Sequence, residues 1–376
     1  MDLSKAFDCI PHDLLIAKLH AYGFYRKALK QIFSYLKGRR QAVKLNGVYS
    51  KFLTLLAGVP QGSILGPILF NIFINDIFLF IHDCNLHGYA DDQTISAFAD
   101  TLQNLKIKLC AGADIAIEWM EINKMIVNPS KFQGIVLSKS KKTIKTIFDV
   151  SDRQIESEDC VKLLGITVDD KLSFNKHISK LCNKASGQLN QLFRLKRYLS
   201  PACRVLSINS YIQSNFNYCP LVWHFMSADD SKKVENVHKR ALRFLNADDN
   251  VNYQDLLYNL GKTTMLISRL KSLCIEIYKT LNGLNPAYMK NIFTKSQFRR
   301  SKRFTYNLDV PRRNRKQFGT KSLSVLGPIV WNLLPNEIKS AQSIDIFKMY
   351  MKSWGGRDCS ILNKIKSYLT TLNIEI

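Results

Sequence analysis

Behind Pro11, a residue suited to a helix start, Leu14, Leu15 and Leu19 recur at helical spacing up to Gly23 and predict a first helix. A second helix is predicted by Ala28, Leu29, Ile32, Phe33 and Leu36. Gln41 to Leu45 and Val48 to Leu56 then flank Asn46-Gly47, two residues that both tolerate positive φ, which predicts a two-residue β-hairpin. The stretch Gly58 to Pro67 is too rich in Gly and Pro for regular helix, yet it leads straight into an apolar helix, Ile68 to Phe80. A loop feeding a buried helix is a place where a ligand can be held. Leu86 to Ala90 and Gln93 to Phe98 predict short strands meeting at Asp91-Asp92, and Leu102, Leu105, Leu109, Ile115 and Met120 mark one or two helices. Gln133 to Ser138, Thr146 to Val150 and Leu163 to Val168 predict further strands.

From Ser173 onward strand patterns fade. Ser173 is the expected cap of a long basic helix through Lys180, Lys184, Arg194, Lys196 and Arg197. Further helices fit Cys203 to Ser214, Ser231 to Phe244 and Thr264 to Leu281, whereas Lys295 to Phe318 is irregular and dense in Arg and Lys, with Phe298, Phe304 and Tyr306 interleaved. The architecture therefore changes near residue 170, and no internal repeat is seen.

Composition narrows the function. With 376 residues, 46% of them hydrophobic, the chain can bury a sizeable core. Its 54 Lys and Arg against 30 Asp and Glu leave a net charge of +24, a surface that attracts polyanions, nucleic acid first and an anionic membrane surface second. The most apolar stretch, Ile64 to Ile81, contains Asn71, Asn75 and Asp76, which favours a buried amphipathic helix over a membrane span. Nine cysteines without a C-x-x-C pair are expected to be reduced, packed, intracellular thiols, and no secretory leader opens the chain.

Three segments carry candidate chemistry: Asp2-Leu3-Ser4-Lys5-Ala6-Phe7-Asp8, Val59-Pro60-Gln61-Gly62-Ser63-Ile64-Leu65-Gly66-Pro67, and Tyr89-Ala90-Asp91-Asp92. Alone, an Asp-Asp pair between strands is usually a turn, and the Gly-Pro stretch is a loop. A tight hairpin presenting two carboxylates beside a strand that ends in a third is different, because clustered carboxylates repel unless a cation neutralises them. Mg²⁺ is the natural cation, and two such ions support in-line phosphoryl transfer.

In order and spacing these segments resemble the reverse transcriptase motifs of non-LTR (LINE-type, jockey-like) retrotransposons. Weaker similarity continues through Asn128-Pro129-Ser130-Lys131, Leu163-Leu164-Gly165-Ile166 and Phe216-Asn217-Tyr218-Cys219-Pro220. The resemblance implies an α+β fold: a polymerase palm of antiparallel strands with packed helices over 1–170, an α-helical thumb over 171–285 and a basic, helical or irregular C-terminal region over 286–376. It implies Asp2, Asp91 and Asp92 as ligands of two Mg²⁺ ions, with Mn²⁺ a possible substitute, and Lys131 as the general acid toward pyrophosphate. Phe7 would be the steric gate against a ribose 2′-hydroxyl. Gln61 and Gly62 would lie against nucleotide and template, and Leu164 and Gly165 would form the primer grip. Lys180, Lys184, Arg194 and Arg197 of the thumb, with Arg299, Arg300, Arg312 and Arg313 of the irregular segment, would contact nucleic acid. The implied partners are an RNA template, a DNA primer or duplex and deoxynucleoside triphosphates, in the nucleus or a cytoplasmic ribonucleoprotein.

In the family a long stretch precedes the first aspartate. The expectation is thus a chain lacking the fingers and the upstream endonuclease, with no Cys/His knuckle at its C-terminus. Two alternatives stay open: a catalytically inert nucleic-acid-binding remnant, and another two-metal palm enzyme such as a nucleotide cyclase.

Overall fold

In a computed structural model, the residues described are 3–138, 140, 142–224, 226–246, 251–296, 306–312, 322–354 and 367. The chain divides into two units, Met1–Ile166 and Thr167–Ile376.

The first unit starts with α1 (His12–Ala21) behind Pro11 and α2 (Arg26–Leu36), as the apolar spacing predicts. Leu15, Leu19 and Leu36 on their inner faces are almost fully buried. A two-stranded ribbon follows, in which β1 (Arg40–Gln41) pairs with β4 (Leu53–Thr54) and β2 (Lys44–Leu45) with β3 (Val48–Tyr49). Its tip is the expected turn: Asn46 and Gly47 adopt φ of 47° and 84°, the left-handed pair that suits the twist of a tight hairpin.

The apolar helix α3 (Leu65–Ile74) begins three residues before the predicted Ile68. Pro67 is tolerated because it sits in the first turn, where its missing N–H has no intrahelical partner to lose. A 3₁₀ turn, Asn75–Leu79, extends the helix. Leu69, Phe70, Phe73 and Ile77 meet Leu15, Leu19 and Met120 in the main core of this unit. Lys18 is partly buried at its edge, donating to Asp76 at 2.8 Å and to the Phe73 carbonyl at 2.8 Å. Its ammonium also lies over the Phe73 and Trp119 rings.

The strands β5 (Asn85–Tyr89) and β6 (Asp92–Ser96) form an antiparallel hairpin, followed by the single 21-residue helix α4 (Leu102–Ile122). Thr101 caps that helix by accepting from the Asn104 amide. A second hairpin, β7 (Ile147–Val150) with β8 (Arg153–Glu156), packs Phe148 and Val150 against Ala113 and Ile117 of α4. Predicted strand Gln133 to Ser138 forms no ladder. Only Gly134 bridges, to Ser157, where a Cβ would meet the Phe148 ring at 3.0 Å. The strands are two-stranded pairs throughout the described residues, not one continuous sheet. The fold is thus mixed helix and sheet, as expected, with shorter ladders than a palm sheet implies.

The predicted strand Leu163 to Val168 is instead broken by a turn. β9 (Cys160–Leu163) and β10 (Ile166–Asp169) flank Leu164 and Gly165, at φ of 45° and 84°.

Among the described residues the second unit is helical, apart from the end of β10 and an antiparallel bridge between Lys295 and Leu308. Its long basic helix, α5 (Asn175–Leu195), is not capped by Ser173 as expected. The Asp169 carboxylate takes the backbone amides of Lys171, Ser173 and Phe174 at 3.2, 3.0 and 2.6 Å, and Phe174 enters the helix in a left-handed conformation, φ 59°. Lys196 and Arg197 fall in a 3₁₀ turn beyond it. Next come α6 (Pro201–Ser207), a π-helical turn Ile208–Gln213 and α7 (Ser214–Asn217) without interruption. Then follow α8 (Ala228–Leu245), α9 (Tyr253–Asn259) and α10 (Met265–Leu281). Cys182 lies near Asp230, Asn190 meets Arg240 and Phe193 meets Phe244, so α5 and α8 run parallel. α11 (Leu323–Asn332), α12 (Asn336–Lys339) and α13 (Ile344–Ser353) complete the described elements. Trp331, Phe347 and Met351 from these helices share one buried cluster with Leu273, Ile277 and Tyr278 of α10.

Candidate active site

The first motif is held in place from two sides. Leu3 bridges antiparallel to Val127, and the Ser4 amide donates to the Ile126 carbonyl at 2.8 Å. Asp2 itself lies outside the described residues. Further along, the Val59 amide donates to the Phe7 carbonyl and the Gly58 amide to the Ile10 carbonyl, both at 2.8 Å. This joins the first motif to the start of the second. His12 Nε2 lies 2.8 Å from the Gly58 carbonyl and ties α1 to the same point.

The residue immediately before the second motif, Gly58, has to be glycine. It has φ 90°, and a Cβ there would meet the Asp8 Cα and carbonyl oxygen at 2.8 Å. The loop that follows is closed by Ser63, whose hydroxyl donates to the Pro60 carbonyl at 2.7 Å and accepts from the Gly66 amide at 2.9 Å. Ser63 thereby satisfies a first-turn donor of α3. Gln61 is exposed, and its amide donates to Asp8 Oδ1 at 3.0 Å. Gly62 is exposed at φ 79° with open space where a Cβ would stand.

Phe7 is half-buried. Its ring stacks on Phe70 of α3, centroids 4.5 Å apart and planes 23° from parallel.

In the third motif the turn lies one residue earlier than expected. Tyr89 pairs directly with Asp92, so the two turn residues are Ala90 and Asp91, and Ala90 carries φ 53°. Asp91 is half-buried at the tip; Asp92 is the exposed first residue of β6. Strand alternation sends Gln93 to the opposite face, where it is 2% exposed and donates to the Ala90 carbonyl at 3.0 Å. Gly88, directly opposite, makes the room: a Cβ there would meet the Gln93 side chain at 3.0 Å.

Lys131 is exposed at the end of a 3₁₀ turn, Pro129–Lys131, four residues beyond the Val127 bridge to Leu3. Leu164 and Gly165 form the exposed tip of their hairpin. The first and second motifs are thus brought together by direct hydrogen bonds. The third shares the buried cluster of Leu3, Ala6, Phe70 and Phe73, to which Ala90 and Ile95 contribute.

Among the described residues no group of three His, Cys, Asp or Glu side chains is close enough to hold a metal ion. Asp91 and Asp92 nonetheless fit a hard divalent cation in kind, since carboxylate oxygens are the donors Mg²⁺ and Mn²⁺ prefer.

On α5, Lys180, Lys184 and Arg194 lie on one exposed face by helical spacing. Lys180 Nζ also donates to Thr167 Oγ1 at 3.4 Å. Arg194 lines a cleft with Asn190, Phe193, Arg240 and Arg243. Arg197 lies over the Tyr198 ring. Arg312 is exposed, while Arg299, Arg300 and Arg313 lie outside the described residues. Reading the sequence missed Asp8, Gln93 and the arginines of α8. Asp8 stood in a quoted motif without a role, and Arg240 and Arg243 become partners of Arg194 only through the parallel packing of α5 and α8.

Residues 1–168 match the family model "Reverse transcriptase (RNA-dependent DNA polymerase)". The chain is also similar to the "Probable RNA-directed DNA polymerase from transposon X-element" of Drosophila melanogaster, 24% identical over 263 residues, 65% of this chain and 28% of that protein. The "RNA-directed DNA polymerase from mobile element jockey" of the same species is 24% identical over 253 residues, 65% of this chain and 27% of that protein. The "Probable RNA-directed DNA polymerase from transposon BS", also from Drosophila melanogaster, is 25% identical over 261 residues, 65% and 28%. The resemblance to jockey-like elements read from the three motifs is therefore shown. The chain spans between a quarter and a third of the length of these relatives. Among the described residues no helix is long and apolar enough to cross a membrane.

Proposed function

We propose that this chain acts as an RNA-directed DNA polymerase, adding deoxynucleoside monophosphates to a primer 3′-hydroxyl on an RNA template. The observation that carries this is the joining of the Asp2 to Asp8 motif to the Gly58 to Pro67 loop, through Phe7–Val59, Ile10–Gly58 and Asp8–Gln61. In this reading 1–170 is the palm, 171–285 the thumb and 286–376 a basic extension. Asp2, Asp91 and Asp92 would hold the divalent ions, Mg²⁺ or Mn²⁺, which when bound lower the pKa of the attacking hydroxyl and neutralise charge on the leaving pyrophosphate.

The chain's own residues do the positioning. Phe7 is braced by Phe70, so its ring resists displacement by a ribose 2′-hydroxyl, which favours deoxynucleotides. Gln61, tethered to Asp8, and Gly62, with no side chain in the way, leave room for nucleotide and template against the loop. Lys131 donates a proton to pyrophosphate. The exposed Leu164-Gly165 turn supports the primer strand, and Lys180, Lys184, Arg194, Arg197 and Arg312 meet the phosphates of the duplex.

Primer extension on poly(rA)/oligo(dT) with Mg²⁺ tests this. The parent chain extends the primer, and an Asp91→Ala, Asp92→Ala variant falls to background. Synthesis unchanged in that variant would reject the site. The charge of +24 favours one second reading, an inert nucleic-acid binder. Salt-sensitive duplex binding with no synthesis by the parent would select it.

A further inference from the structure

Between Asp13 and Asp76 the sequence contains no Asp or Glu. At the centre of that acid-free stretch stands the β1–β4 ribbon, and every one of its strand residues is exposed. The register separates its side chains into two faces. One carries Arg40, Lys44, Tyr49 and Phe52. The Tyr49 and Phe52 rings stack at 6.2 Å with planes 21° apart, Arg40 lies over Phe52 at 5.7 Å, and Lys44 lies over Tyr49 at 4.9 Å. The other face carries Val43, Leu45, Val48 and Leu53.

The cationic and aromatic pattern continues down the base of the ribbon, where Arg39 lies over Tyr35 at 5.3 Å and Lys37 over Phe33 at 5.2 Å. After these contacts Tyr49 is still 56% exposed and Phe52 48%. Much of the ring area is therefore open, flanked by positive charge with no acidic residue nearby in sequence to neutralise it.

We propose that this face of the ribbon binds an unpaired nucleic-acid strand, RNA or DNA. Bases of a single strand present free π-faces, which stack on Tyr49 and Phe52, while Arg40 and Lys44 neutralise the adjacent phosphates. A duplex keeps its bases stacked inside and offers the rings nothing, so the site distinguishes single strands from duplexes. An acidic protein surface would match the charge but leave the rings unused. None of its residues is among those assigned to the polymerase centre above, and it does not depend on that reading.

The test is binding of fluorescein-labelled oligo(rU), oligo(dT) and a blunt duplex to the full chain, by anisotropy in EDTA without nucleotide, so that loss of polymerase activity cannot mimic its failure. The Tyr49→Ala, Phe52→Ala variant is expected to bind single strands about tenfold more weakly or worse, with duplex binding unchanged. Arg40→Ala, Lys44→Ala weakens single-strand binding and lowers its salt dependence. Val43→Ser, Val48→Ser, on the opposite face, leaves it unchanged. In Tyr49→Trp, the added indole emission is quenched by the strand. Parental affinity in the ring variant, equal losses on single strands and duplex, or an unquenched Tyr49→Trp overturns the proposal. Binding of either oligonucleotide that depends on the rings sustains it, and the ratio of the two affinities identifies the preferred strand. The rings are exposed, so their removal opens no core, and circular dichroism matching the parent verifies this.

Discussion

At the scale of single residues, the motifs were legible where chemistry dictates residue type and illegible where backbone geometry does. Asp91, Asp92, Gln61 and Phe7 stand out in the sequence because of their order and spacing. The position of the turn at Ala90-Asp91 does not, since alanine at φ 53° contradicts its ordinary preference and Asp-Asp is the better turn former. Gln93 is similarly hidden: a polar residue in a strand reads as solvent-facing until Gly88 opposite it is seen to leave the space. Gly58 is the most demanding case. Any Cβ there needs both a left-handed backbone and room taken by the Asp8 main chain, so Gly58→Ala should cost about 2 kcal/mol or more. Urea unfolding of the first unit, followed by Trp119 emission, is expected to show a lower midpoint. Because the displaced backbone is that of Asp8, primer extension should fall as well. A variant with the parental midpoint would mean that the junction of the two motifs yields easily.

At the scale of elements, periodicity located most helices and the Asn46-Gly47 hairpin, yet it misplaced several ends. Two turns, Ser151-Asp152 and Leu164-Gly165, place both residues at positive φ without the Asn-Gly signature. The strand through Leu163 to Val168 was therefore read as continuous. The start of α5 was assigned to Ser173 because local rules favour the nearest hydroxyl. The group that holds it is the buried carboxylate of Asp169, four residues earlier, taking three amides at once. Hydrogen bonds to a carboxylate are stronger than those to a hydroxyl, and losing this acceptor leaves the Phe174 amide buried without a partner. Asp169→Ala is expected to destabilise the helical unit by about 3 kcal/mol, measured as a lower thermal midpoint, while Ser173→Ala changes it by less than about 1 kcal/mol. Equal effects of the two substitutions would restore Ser173 as the cap. The C-terminal helices α11 to α13 fall in a region expected only as basic and helical or irregular, without bounds, because their burial rests on the distant partner α10 and not on local pattern.

At the scale of the whole molecule, charge is legible from composition alone, but its coupling to stability needs burial. Three histidines of the second unit, His177, His224 and His238, are at least nine-tenths buried. Burial pushes His224 down to about 3 and His238 down to about 4, and a neighbouring cation, Arg269 or Lys262, adds to each; His177 is lowered for the same reason, with Lys180 nearby. All three are neutral in the fold, whereas in the unfolded chain they titrate near 6.5. Above that value both states are neutral and stability is at its full level. As pH falls below about 6.5, the unfolded chain takes up protons that the fold refuses, so stability declines until the folded values near 4 and 3 are passed. The loss should be on the order of 3 kcal/mol for His238 alone. Unfolding of Thr167–Ile376, followed by the buried Trp223 and Trp331, is therefore expected to shift to lower urea between pH 6.5 and 4. A His238→Gln variant keeps a polar group toward the Tyr253 hydroxyl, which lies 3.1 Å from His238 Nδ1, but has no proton to gain. It should show a shallower decline over the same range. A decline as steep as the parent's would assign the acid sensitivity to protonation of carboxylates on a chain already at +24, and not to its buried imidazoles.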